Sequence, residues 1–205
     1  MSRDWRETYT VGADLALVGI GVTVAALPLL TAGAAVRAGS VAVHSIVAGE
    51  GVDLRHLWRV FRAALLPGLA ATAAAAVTAW LLLFNVGAVA SGRVPGGLPV
   101  LAGTVAVAVA LLAIGMLGIV RLGRETTPGG WLAAVTWAGR AAWRQPIAAA
   151  VVAGVSIIAV AIGAFIPFTA PLLVGYALFA AHVLVTRYFD PAATDADTER
   201  AGLTG

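Results

Sequence analysis

The stretch "PGLAATAAAAVTAWLLLFNVGAVA", residues 67 to 90, is bounded by Arg62 and Arg93 and holds no charged side chain. An apolar run of this length fits a membrane-crossing helix, which needs about 20 residues. Five further apolar runs can be separated, and the six fall near 11 to 30, 31 to 48, 67 to 90, 98 to 120, 146 to 166 and 168 to 188. Prolines sit near most of their ends, where a missing N–H costs little. Pro28 closes the first run, Pro67, Pro99 and Pro146 open the third, fourth and fifth, and Pro167 and Pro171 mark the last connection.

Composition agrees with this reading. Of 205 residues, 60% are hydrophobic and 11% charged, and the mean hydropathy is +0.95. A soluble domain carries about 25% charged residues. The expected fold is therefore all-α: a polytopic membrane protein of about six transmembrane helices, or five if residues 31 to 48 lie in the interface. Residues 1–190 form one helical membrane domain on this reading. Residues 191–205, "PAATDADTERAGLTG", are acidic, proline-broken and poor in apolar side chains, and read as a disordered, dispensable cytoplasmic tail.

Charge placement orients the chain. All 13 basic residues are arginine. With both termini on one side, Arg3, Arg6, Arg55, Arg59, Arg62, Arg121, Arg124, Arg140, Arg144, Arg187 and Arg200 gather there, and Arg93 alone falls opposite. Arginine excess marks cytoplasmic loops. Both termini are therefore expected in the cytoplasm, with "LTAG", "SGRVPGG" and "IPFTAP" outside. Asp4, Glu7 and Asp14 and the length of the first run argue against a cleaved signal peptide. The net charge of +3 is spread over segment ends rather than gathered into a stripe, so no nucleic-acid partner is expected.

Two arginine-rich stretches read as amphipathic helices at the cytoplasmic interface. "DLRHLWRVFRAALLPG" sets Leu54, Leu57, Trp58, Phe61 and Leu65 against Arg55, Arg59 and Arg62. "GGWLAAVTWAGRAAWRQP" repeats the idea with Trp131, Val135 and Trp137 beside Arg140, Trp143 and Arg144. Tryptophan and arginine suit a bilayer surface in any chain. The same chemistry suits docking on a partner subunit, with Trp58, Arg59, Phe61, Arg62, Trp137, Arg140, Trp143 and Arg144 as contacts. Both stretches run from Trp and Arg through a proline into an alanine-rich run, a faint repeat that suggests three helical hairpins.

Catalytic and metal motifs are absent. There is no cysteine, no His-Glu-x-x-His, no Gly-x-Ser-x-Gly and no phosphate-binding glycine loop, so neither an enzyme nor a cofactor is expected. What remains is polar residues at matched depth. Gly33, Arg37, Ser40 and His44 share one face of the second run. Asn85 is expected near Arg37, and Asp14 and His182 near His44, with Asp14 and His44 as a hydrogen-bonded pair. This set either ties helices together or lines a cavity around Arg37, because an arginine at mid-membrane costs about 2.5–3.5 kcal/mol and needs a partner or a route outward.

The turn "LPLLTAGAA", with Pro28, Thr31, Gly33, Ala34 and Ala35, and the aromatic-basic segment with Trp58, Phe61 and Arg62 resemble the amino-terminal half of the YesL-like family of bacterial membrane proteins. "AALLPG" and Arg37 depart from that family's pattern. The resemblance implies a bacterial plasma membrane protein associated with carbohydrate ABC transporters, without catalytic residues, whose partners are the lipid bilayer and permease subunits. A homo-oligomer is not indicated. A small stand-alone permease or channel with a polar cavity near Arg37 is the alternative.

Overall fold

The computed structural model describes residues 4–26, 31–49, 51–92, 97–124 and 130–189. Pro28, Arg93 and the acidic tail lie outside them. Among the described residues the chain is all-α, with eight α-helices and one 3-10 turn (Pro167–Thr169): α1 (Asp4–Ala26), α2 (Ala32–Val47), α3 (Leu54–Ala63), α4 (Leu65–Ala90), α5 (Gly97–Gly123), α6 (Gly130–Arg144), α7 (Pro146–Phe165) and α8 (Ala170–Phe189). Four of these, α4, α5, α7 and α8, are long and apolar enough to cross a membrane. The apolar part of α1, Gly12–Ala26, and α2 are shorter.

Proline placement explains two of the boundaries. Pro146 is the first residue of α7, where no N–H is needed, and Gln145 alone separates it from α6. Pro67 lies in the first turn of α4 rather than at its start. It has no N–H to offer the carbonyl of Ala63, four residues back, so α3 stops there and α4 restarts after Ala64. Both arginine-rich stretches are thus helices that break and turn into apolar helices, as the repeat suggested.

The core sits where α5, α7 and α8 meet. Leu117 and Val120 of α5 cluster with Ala149 and Val152 of α7 and Ala181 and Val185 of α8. Farther along, Leu112, Ser156 and Val174 line one cavity. Residue numbers fall along α5 and α8 and rise along α7, so α5 and α8 run one way and α7 the other. A second cluster joins Leu15 of α1, Val43 of α2 and Leu178 of α8.

α2 departs from the expected second span. It has 16 residues, about 24 Å at 1.5 Å per residue, against a hydrocarbon core of about 30 Å. A Cβ added at Gly33, in its first turn, would collide with the carbonyl of Gly68, in the first turn of α4. α3 packs on α2 and returns the chain to that level. The start of α4 therefore stands beside the start of α2, not at the opposite end of a full crossing.

Among described residues of α4, Gly68 is the buried one. Val77, Trp80, Leu81, Leu83 and Phe84 are exposed. Such a surface fits lipid contact.

Candidate functional site

Two backbone crossings hold α2 in place, and both depend on glycine. At the first, the Gly33 N–H donates to Thr72 Oγ1 at 2.9 Å, and the Thr72 hydroxyl donates to the Gly68 carbonyl at 2.8 Å. At the second, a Cβ on Gly123 would overlap the Ser40 hydroxyl and backbone. Small residues let helix backbones approach closely where the surrounding lipid offers no hydrophobic drive between helices.

Ser40 is fully buried at the second crossing, and its hydroxyl donates to the Ile119 carbonyl of α5 at 2.7 Å. His182 of α8, 2% exposed, brings Nε2 to 3.5 Å from the same oxygen. Its Nδ1 lies 2.9 Å from the Leu178 carbonyl. A carbonyl only accepts, so Nδ1 carries a proton. The single Ser40 proton goes to Ile119 at the shorter distance, and the 3.5 Å approach is at the limit of a hydrogen bond. The group thus joins α2, α5 and α8. The ring of His44 lies 6.1 Å from that of His182, centroid to centroid. Below it Thr186 donates to the His182 carbonyl at 3.0 Å and accepts from Arg124 Nη2 at 3.3 Å.

The expected polar set is therefore partly assembled. Ser40, His44 and His182 come together. Arg37 is half-buried, with Nε shielded and without a hydrogen-bond partner among the described residues. Asn85 is exposed and does not face Arg37. The Gly33–Gly68 contact fixes α2 beside the first turn of α4, and Asn85 lies 17 positions beyond Gly68, about 25 Å along the helix. Asp14 is exposed on α1, while the His44 ring is placed against His182. Of the turn motif, Thr31 donates back to the Ala25 carbonyl of α1, and Gly33 serves the α4 crossing. Among the described residues no group of three or more His, Asp or Glu side chains could hold a metal ion.

The two amphipathic helices are not equivalent. α6 buries Ala134, Ala138 and Ala141. Its Trp137 packs against the main core, under the Arg121 guanidinium at 5.1 Å and beside Phe189. Trp137 is therefore a packing residue rather than a free contact, while Arg140, Trp143 and Arg144 are exposed. α3 buries none of its residues. Leu54 is 77% and Trp58 59% exposed, Trp58 stacks on Phe61 at 5.6 Å, and Arg55, Arg59 and Arg62 are exposed. Asp53 caps it by accepting the Arg55 N–H at 2.9 Å.

Thr72, Thr186 and Gly123 were not singled out from the sequence. Their only signal is a small or hydroxylated residue within an apolar run, or just past its end for Gly123, which becomes meaningful once its neighbour across the crossing is known. Ser40→Ala is expected to cost about 0.6–2 kcal/mol, read as a lowered melting temperature in detergent. Thr136→Ala, which removes an exposed hydroxyl on α6, should leave the melting temperature unchanged.

No family model, no characterised protein and no solved structure matches the chain.

Proposed function

We propose that this chain is a non-enzymatic protein of the bacterial plasma membrane, with α3, α6 and the end of α8 on the cytoplasmic side, that serves as an accessory component of a carbohydrate ABC uptake system. The observation that carries the reading is α3: a capped helix with no buried residue of its own, which presents Leu54 and Trp58 together with three arginines. α3 packs on α2, yet this face of leucine, tryptophan and arginine stays exposed, which suits it to a surface outside the chain. The YesL-like turn and aromatic-basic segment supply the transporter assignment, and the arginines before α4, between α5 and α7 and at the end of α8, separated by pairs of long apolar helices, supply the orientation.

The tagged protein, extracted in mild detergent, is expected to co-purify with a permease subunit. Recovery without any transporter subunit would count against the accessory role. Arg37 supports a second reading, a small permease with its own polar cavity, because its Nε is buried without a hydrogen-bond partner among the described residues. Solute uptake by the purified protein alone in liposomes would favour that reading. Unchanged yield and activity in Arg37→Ala would remove it.

A further inference from the structure

A cavity of about 330 Å³ opens between α2, α5, α7 and α8, at the lower end of the 300–1,000 Å³ range of ligand pockets. Its one polar lining side chain is Ser156, whose hydroxyl is donated to the Val152 carbonyl at 2.8 Å. Water needs two to four polar partners, and the side chains of this lining offer it at most one, the acceptor side of the Ser156 hydroxyl. The space exists because Ala159, Gly163, Ala170 and Ala177 stand where larger residues would fill it. A Cβ at Gly163 would meet Ala170 only at ordinary contact distance, 3.6 Å.

The rim includes Val160, which is 67% exposed. It belongs to α7, and α7 and α8, which carry most of the lining, are both long and apolar enough to cross the membrane. The medium at this mouth is then lipid hydrocarbon. We infer that the crevice between α7 and α8 is a lipid site that holds one acyl chain of a membrane phospholipid. A flexible hydrocarbon chain is the component of that medium which fits an apolar, one-sided space, and filling it restores the dispersion contacts that an empty space forfeits. The site is independent of any partner that docks on α3.

The test uses the full chain in phosphatidylcholine liposomes containing a trace of phosphatidylcholine with a diazirine in one acyl chain. After irradiation, labelled peptides are identified by mass spectrometry. The exposed α4 peptide containing Trp80 and Phe84 reports ordinary lipid contact. Label on Val160 and Leu173 is expected to exceed label on that peptide. Ala159→Phe and Ala177→Leu, which fill the crevice from α7 and from α8, should each lose the excess and leave the α4 label unchanged. Equal labelling of crevice and α4 in the unsubstituted protein would overturn the site. So would an excess that persists in either variant eluting as a folded protein.

Discussion

Gly33→Val is expected to abolish recovery of folded protein, while Gly21→Val is expected to leave it unchanged. A side chain at Gly33 would overlap the backbone of Gly68, and one at Gly68 would meet the backbone of Ala34. Backbone atoms cannot swing aside as a side chain can, so α2 and α4 would have to separate. Separation also breaks the bond from the Gly33 N–H to Thr72. Overpacking a filled site costs about 1–3 kcal/mol and more where relaxation is blocked; the Gly33–Gly68 crossing belongs to the blocked kind. Gly21 has no atom within 4 Å of an added Cβ. It controls for the general effect of valine in an apolar helix. Yield of monodisperse protein on size exclusion, followed by a melting curve, measures both variants.

Trp58→Ala is expected to have the opposite profile: an unchanged melting temperature and a partner lost. Trp58 is exposed, and its aromatic neighbour is Phe61 on the same helix, so its removal opens no cavity in the bundle. Buried tryptophans at the centre of interfaces cost about 2 kcal/mol or more on truncation, and 2 kcal/mol is about a thirtyfold loss of affinity. Charge reversal at Arg59 and Arg62 should weaken the same association, since both are exposed on α3. Trp137→Ala should instead lower the melting temperature, because that ring lies against the core and beneath Arg121.

The helices were legible from charge-free runs and from proline. Pro146 opens α7 as its position implied, and the helices expected within residues 53 to 68 and 129 to 146 are present as α3 and α6. What the sequence did not reveal was how far each run reaches. Residues 31 to 48 read as a span because their composition is apolar, yet composition is equally apolar for a short helix buried among others. α2 is the second kind: its residues Gly33 to Ala35 and Gly39 to Val43 are buried by protein. Depth counted along the chain failed for Asn85 for the same reason, since the count assumed that α2 and α4 begin at opposite ends.

The polar group was legible by helical phase, which placed Ser40 and His44 on one face and at the depth of His182. Its bonding was not. The Ser40 partner is the carbonyl of Ile119, and no side-chain pattern marks a carbonyl. The contrast between α3 and α6 was equally hidden. Both sequences alternate aromatic and arginine residues, and the difference lies in the alanines of α6, which let it bury a face in the bundle, whereas α3 lies on α2 with no buried residue.

The docking role of α3 is tested most directly by a photo-crosslinking amino acid placed at position 58 in the full chain and activated in intact cells. The account predicts one discrete product of higher mass, containing a transporter permease subunit, that disappears when Arg59 and Arg62 are changed to glutamate. Cross-links to lipid alone, in a protein that is otherwise folded and inserted, would contradict it and make α3 a membrane anchor.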